Sequence, residues 1–391
     1  MPLVNMRDML NHAYQHGYAV GAFDLVSLDF LEGIISAAER CDAPVILSLA
    51  ESHFEYFNFE IIMSAVVTAA RNTSIPVAIH LDHGESLAST VTGIRLGCNG
   101  VMIDSSSQSL TDNIQLTRSI VEMAQACGVP VEGELGYVPG VEGEDAERHP
   151  GEVAYTTVSE AKSYVKQTGV DFLAVSIGTV HGRMQGKPEL DFQRLQEINE
   201  AVHIPLVIHG GTGLSDEQFK QLIERGVSKI NYYTSLADAA GSRIRKNTQD
   251  STANGYTNLT SGIKEAISTE VERCIRLWGS SGRADQLNAH CKAWKPVEHL
   301  IIYNVHGITE DETLAMIEEG KKTLGEIPGV LEVVTGHAIQ DEASYRYTWL
   351  VRFCHDAVID SYKNHPLHVA FADTLFRPVA GERISIDYQT H

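Results

Sequence analysis

The chain has little with which to cross-link itself, span a membrane or hold a polyanion. Its six cysteines, Cys41, Cys98, Cys127, Cys274, Cys291 and Cys354, form no CxxC pair and sit largely within regular-looking segments, so they read as reduced thiols rather than a disulfide framework. No apolar stretch approaches the roughly eighteen residues that a membrane span requires. The opening MPLVNMRDML lacks a charged-then-apolar signal pattern, and the expected location is cytoplasmic. Basic stripes are missing too: 30 Lys and Arg against 51 Asp and Glu give a formal net charge of -21, which argues against a nucleic-acid surface and leaves acidity to serve solubility. No GxGxxG follows the first apolar run, which removes the fingerprint of a doubly wound dinucleotide fold.

What is present is length and alternation. At 391 residues the chain exceeds the roughly 250–300 at which single cores stop growing, so a second domain is expected. Over the first 250 residues, apolar runs at 20–24, 44–50, 76–82, 100–105, 129–135, 171–178, 204–209 and 227–232 are each followed by a helical pattern. In 215–225, for example, Ser215 can cap, Phe219, Leu222 and Ile223 form the apolar stripe, and Gly226 stops it. Eight strand–helix units of this size predict an α/β fold, a closed (β/α)8 TIM barrel.

In such a barrel the carboxyl-terminal strand ends converge on one mouth. The residues that fall there are Asp24, Ala50 and Glu51, Asp82 and His83, Asp104 to Ser106, Glu134, His181 and Gly182, His209 to Gly213, and Asn231 to Thr234. Acids and imidazoles dominate, and three of the histidines, His83, His181 and His209, close apolar runs in the same way. A divalent cation with three neutral nitrogen ligands and an open position accounts for that recurrence.

Several separated motifs carry a resemblance: HLDHGES at 80–86, VMIDSS at 101–106, VEGELG at 131–136, AVSIGTVHG at 174–182, LDFQRL at 190–195, VIHGGTG at 207–213 and KIN at 229–231. Together they resemble the class II, metal-dependent ketose-bisphosphate aldolases, which cover fructose- and tagatose-bisphosphate aldolases. The resemblance implies that His83, His181 and His209 bind a catalytic zinc or another divalent metal, with room for a monovalent cation nearby. It makes Asp82 the acid/base at the cleaved carbon–carbon bond and Glu134 an outer or alternative ligand. Glu142, in the loop 137–157, matches the mobile-loop acid that takes a proton from the ketone half. Gly182, with the glycine-rich HGGTG, implies a phosphate pocket: Gly210, Gly211 and Thr212 would offer backbone N–H groups beside a helix N-terminus. Asn231, Tyr233 and Thr234 complete the expected substrate contacts. A lysine Schiff base is the rival aldolase mechanism, but Lys229 lies before its strand end and is expected to be structural.

Departures from the family bear on the substrate. Tyr232 and Tyr233 follow KIN where a small residue or Asp is usual, Asp24 replaces an asparagine that meets the aldehyde half, Ala50 with Glu51 replaces a Ser or Thr, and Met184 stands where many relatives have tyrosine. Extra carboxylates at Asp24 and Glu51 would repel a second phosphate by about a kcal/mol or more each in a partly desolvated site. The aldehyde half is therefore expected to be unphosphorylated, or to carry an amine or several hydroxyls.

The expected division is a barrel over 1–285, a linker over 286–295 and a separate unit over 296–391. The last reads as strand 297–305, helix 310–324, strands 330–338 and 346–354, helix 356–374 and strand 383–389, a βαββαβ order that predicts a small ferredoxin-like α+β sheet. Through VEHLIIYNV, EIPGVLEVVTG and RISIDY it resembles the stress-responsive A/B barrel (Dabb) domain, which implies paired sheets and a homodimer or higher homo-oligomer. His365 and His368, with Pro366 between them and no third ligand evident, are not expected to form a metal site. The reading is a zinc-dependent aldolase cleaving a ketose phosphate into dihydroxyacetone phosphate or a similar ketone and an aldehyde. The alternatives are a class II-like aldolase for an unphosphorylated keto-sugar or keto-acid, and a non-catalytic sugar-phosphate sensor. Asp82 argues against a sensor, which has no use for an acid at the scissile bond.

Overall fold

The computed structural model describes residues 3–138, 140, 155–183, 189–249 and 254–389, which fold as two compact units. The first holds a closed barrel of parallel strands in sequential order: β1 Val20–Asp24, β2 Val45–Ala50, β3 Val77–Gly84, β4 Gly100–Ile103, β5 Val131–Leu135, β6 Phe172–Val175, β7 Leu206–Ile208 and β8 Val227–Tyr232. Each apolar run of the sequence becomes one of these strands. Their near-continuous burial on both faces explains why they read as uninterrupted apolar runs rather than alternating ones. Ser215 caps the helix Asp216–Glu224 in a reciprocal capping box with Gln218.

Strand periodicity gave no notice of the helix Met6–His16, which Asn5 caps by accepting from the Arg7 N–H. Its Met6, Met9, Leu10 and Ala13 join Ala22, Ile46, Ala78, Phe172, Ala174 and Val207 in one buried cluster. The Val4 N–H donates to the Val77 carbonyl at the start of β3, so this helix closes the end opposite the mouth. With apolar side chains filling the bottom, polar ones are left to the top. Residues 286–295, expected to be a linker, instead overlap the helix Ala284–His290, whose Leu287 is buried.

The second unit contains a four-stranded antiparallel sheet: β9 Val297–Val305, β10 Val330–His337, β11 Tyr347–Phe353 and β12 Ala380–Tyr388, in the order β10-β11-β9-β12. Trp349, Val351 and Phe353 on one face are buried with Met316, Ile317, Leu324, Tyr362 and Phe371 from the helices. The single helix expected over 356–374 is a correction: the structure has Val358–Asn364 and Pro366–Phe371, followed by a wider turn at Ala372–Phe376. Proline lacks the N–H that would continue the helix, His365 before it is extended (φ −66°, ψ 134°), and the His365 ring accepts from the Leu367 N–H. His368 Nδ1 meets the Lys363 carbonyl, and neither histidine joins a metal-ligating group among the described residues.

Candidate metal centre

Two neighbouring residues of β3 must both reach the mouth, which regular pleating forbids. The pairing of β3 with β4 shifts register between Leu81 and Gly84, and His83 takes the left-handed conformation at φ 47°. For a residue with a Cβ this conformation costs about 1–2 kcal/mol, strain of a kind that persists where a side chain must be aimed. It brings His83 alongside buried Asp82 at the same strand end.

His83, His181 and His209 converge, with ligand atoms within 4.8 Å of one another. Each ring is held from outside by an acceptor. His83 Nδ1 lies 2.8 Å from Asp104 Oδ2, His209 Nε2 lies 2.8 Å from Glu132 Oε1, and His181 Nδ1 lies 3.2 Å from the Val138 carbonyl. These oxygens accept, so the nitrogens facing them carry the protons. The inward atoms, His83 Nε2, His209 Nδ1 and His181 Nε2, then present lone pairs to a common centre. Two of them, His83 Nε2 and His209 Nδ1, stand 2.9 Å apart. Without a metal that pair shares a proton, and with the proton displaced the three nitrogens form a donor set that fits a divalent metal. Burial works against charge on His83, but the Asp82 carboxylate and then Asp104 outweigh it and hold its affinity for a proton well above an ordinary imidazole's. For His181, burial and the two neighbouring histidines lower it to about 3.

Behind the imidazoles runs a buried polar chain. Lys229 Nζ sits 2.7 Å from Glu132 Oε2 and donates to Asn231 Oδ1 at 2.6 Å. The Asn231 amide donates to both oxygens of Asp82 at 2.9 Å. His80, fully buried, lies 3.9 Å from Asp82 and 3.7 Å from Glu132. Burial raises the affinity of Asp82 for a proton, yet His83 and then Lys229 outweigh it and keep this carboxylate ionised. The Asn231 amide, expected as a substrate contact, here holds both Asp82 oxygens and so orients that carboxylate. Lys229, with no exposure and an ion pair to Glu132, is engaged as a structural cation.

Glu132 is the residue that sequence reading missed. It lies two positions before Glu134 on β5, so both carboxylates share one face of the strand, and Lys229 stands in the same relation to Asn231 on β8. Glu134 is buried 3.5 Å from His209 Nδ1, and burial together with the Asp104 carboxylate pushes it up to about 8. It also forms a second possible ligand group with His83 and Asp104.

The other expected contacts divide. Gly210 and Gly182 both have positive φ, and a Cβ on Gly210 would meet the Val180 carbonyl oxygen at 2.2 Å, so only glycine fits there. The Ser235 hydroxyl donates to the Thr212 hydroxyl at 3.3 Å, tying the loop that contains Gly211 to the helix Thr234–Asn247. Thr234, the first residue of that helix, is buried. Asp24 is buried at the end of β1. The Glu51 carboxylate accepts from the Glu85 backbone N–H at 2.7 Å. Tyr232 is a correction: its hydroxyl donates to Glu270 and its ring packs on Trp278, so that of the two tyrosines Tyr233 is left to bring bulk to the mouth. Glu142 and Met184 lie outside the described residues. An open cavity of about 450 Å³ stands over the centre, lined in part by His83, Asp104, Ser106, Val138 and His181.

A filled barrel whose catalytic-type acid and ligand-type imidazoles all stand at its carboxyl-terminal mouth defines an enzyme acting on a small molecule. Residues 4–283 match the family model "Fructose-bisphosphate aldolase class-II", and residues 297–390 match "Stress responsive A/B Barrel Domain". The chain belongs to the class II fructose-bisphosphate aldolase family. It is 38% identical over 291 residues to the fructose-bisphosphate aldolase of Geobacillus stearothermophilus, covering 73% of this chain and 100% of that protein. A probable fructose-bisphosphate aldolase of Bacillus subtilis is 38% identical over 289 residues, with the same coverage. Among solved structures, the YdjI aldolase of Escherichia coli K12 superposes with a TM-score of 0.65 at 32% identity, covering 72% of this chain and 99% of that one.

Proposed function

We propose that this enzyme is a zinc-dependent aldolase that cleaves a ketose phosphate into dihydroxyacetone phosphate or a similar ketone and an aldehyde. The observation that carries the reading is the convergence of three imidazoles, each held by an outer acceptor, beside the buried Asp82 carboxylate. His83, His181 and His209 would hold the metal, with Glu134 as an outer or alternative ligand. When bound, such a cation supplies Lewis-acid stabilisation of negative charge on a carbonyl oxygen. Asp82 takes the proton from the hydroxyl on the carbon that becomes the aldehyde, and returns it in the direction of synthesis. Asn231 aims that carboxylate, and Lys229 holds Asn231. The backbone N–H groups of Gly182 and of Gly210 to Gly213, with the N-terminus of the helix Thr234–Asn247, suit a phosphate on the ketone half. Glu142 has the family position for exchanging the ketone-half proton.

A fructose bisphosphate is the substrate named for the curated relatives. Tyr233 and Asp24 favour a poorer fit for it here than for a ketose monophosphate. Cleavage of the bisphosphate with kcat/KM near the ordinary enzyme range, about 10⁴ M⁻¹s⁻¹ or above, would remove that preference.

The C-terminal sheet supports homo-oligomer assembly. Its helix-free face carries Val334, Leu350, Leu300 and Ile386 in one cross-strand row and Ile302 beside Ile384 in the next. Val334, Ile384 and Ile386 are 41%, 50% and 52% exposed, an apolar face that a second copy would cover. Among the described residues no helix is long and apolar enough to cross a membrane.

The test is a purified-protein assay of dihydroxyacetone phosphate with a panel of aldehydes, with and without zinc. Zinc-dependent product supports the reading; tight binding of sugar phosphate with no turnover in either direction points to a sensor.

A further inference from the structure

His53 is a buried imidazole beside the active site with no hydrogen-bond partner among the described residues. It lies on the short turn Glu51–His53 that follows β2, and the last residue of β2, Ala50, pairs with Asp82 across the sheet. The ring is 3% exposed, and neither nitrogen has a hydrogen-bond partner among the described residues. It packs 4.4 Å from the Tyr233 ring, which comes from the end of β8, and its electrostatic neighbours include Asp82 and His83. Ser52, the preceding residue, lines the cavity. An unpartnered buried imidazole is costly to keep, and this one stands beside the residues of the site, where an entering ligand can meet it.

What arrives is constrained by charge. The adjacent ends of β8, β1, β2 and β3 bring Tyr233, Asp24, His53 and Asp82 to one side of the mouth, and the residues following those strand ends, 233–234, 25–27, 51–53 and 83–86, include no lysine or arginine. A phosphate entering there would face the buried Asp24 and Asp82 carboxylates, and those strand-end segments offer it no lysine or arginine. Burial also drives the His53 ring to about 4, so it meets a ligand as a neutral donor and acceptor.

Resting on the aldolase reading above, we propose that His53 is a substrate-binding residue for the aldehyde half, hydrogen-bonding an uncharged hydroxyl or carbonyl oxygen. The substrate class is then a ketose phosphate whose phosphate sits only on the ketone half and whose other end is a neutral polyol. Tyr233 backs the ring and narrows this side of the mouth, which sets how far that polyol chain extends.

The experiment uses the full chain with zinc and two measurements. One is deuterium exchange into dihydroxyacetone phosphate, which needs only the ketone half. The other is its condensation with glyceraldehyde or with glyceraldehyde 3-phosphate. Wild type is expected to condense glyceraldehyde with the higher kcat/KM. His53→Phe, which keeps the ring packing on Tyr233, should lower kcat/KM for glyceraldehyde by about tenfold to a hundredfold, mainly through KM, the scale of one buried hydrogen bond. The loss in exchange should be much smaller. His53→Gln, which restores a donor, should recover part of the loss, and melting temperatures identify any variant that has merely unfolded. Equal losses in condensation and exchange, no loss in condensation, or a preference for glyceraldehyde 3-phosphate in wild type would overturn the assignment. Absence of exchange in wild type would instead remove the aldolase reading, and this inference with it.

Discussion

Replacing Glu132 by glutamine tests how far the metal centre depends on residues that never touch the metal. The carboxylate is fully buried between Lys229 at 2.7 Å and His209 Nε2 at 2.8 Å. Glutamine preserves the shape but removes the charge. It leaves Lys229 as a buried cation with only a neutral partner, and breaking one side of a buried ion pair costs about 3–5 kcal/mol. Its amide can also turn its NH2 toward His209, which would move that ring's proton onto the inward nitrogen and block it as a ligand. Losing an outer partner of a ligating histidine lowers metal affinity by about 10- to 100-fold, equivalent to about 1.4–2.8 kcal/mol. The assay is paired: chemical denaturation for stability, and competition with a chelator for metal affinity. Glu132→Gln with Lys229→Met removes the stranded cation, so stability should return toward wild type while metal affinity stays low. Unchanged metal affinity in Glu132→Gln would refute the reasoning that this carboxylate sets the His209 tautomer.

Three further outcomes follow from the same geometry. Asp82→Asn should reduce turnover by at least about 10²-fold, the usual scale for a positioned acid/base, with the metal retained; lost metal with unchanged rate per bound ion would make Asp82 a ligand or support. Ile386→Glu, or removal of residues after Ala293, where the barrel unit ends, should lower the oligomeric state measured by sedimentation while leaving a metal-binding barrel with measurable turnover; a folded, metal-loaded barrel without activity would mean that the C-terminal unit completes the site. Stability should fall as pH drops from about 6.5 toward 4, because burial first and the neighbouring His16 next lower His12 to about 4 in the fold, whereas the unfolded chain takes that proton near 6.5. His12→Gln should flatten that slope in thermal melts, and an unchanged slope would count against it.

The barrel was legible because a strand buried on both faces leaves a continuous apolar run, and such runs are visible without knowing what covers them. The three histidines and Asp82 were legible for the complementary reason, since polar residues that end apolar runs have few structural uses. The helix Met6–His16 was not, because its apolar side chains face a barrel bottom that exists only after the strands close. Glu132 and Lys229 were hidden by lying mid-strand, where a charged residue reads as an interruption until its partner on another strand is known. Tyr232 and Tyr233 looked alike in the sequence, but strand alternation sends the first to Trp278 and only the second to the mouth. His53 carried no signal at all, since a histidine on a short turn is ordinary until the surrounding residues leave it without a partner.

The central claim is that His83, His181 and His209 together form a metal centre on which turnover depends. Metal analysis of the purified protein alongside condensation of dihydroxyacetone phosphate with aldehydes, before chelation, after chelation and after zinc is restored, tests it most directly. The account predicts one divalent ion per chain, activity lost with the ion and regained with it, and neither in His209→Ala. Full turnover by demonstrably metal-free protein would contradict it.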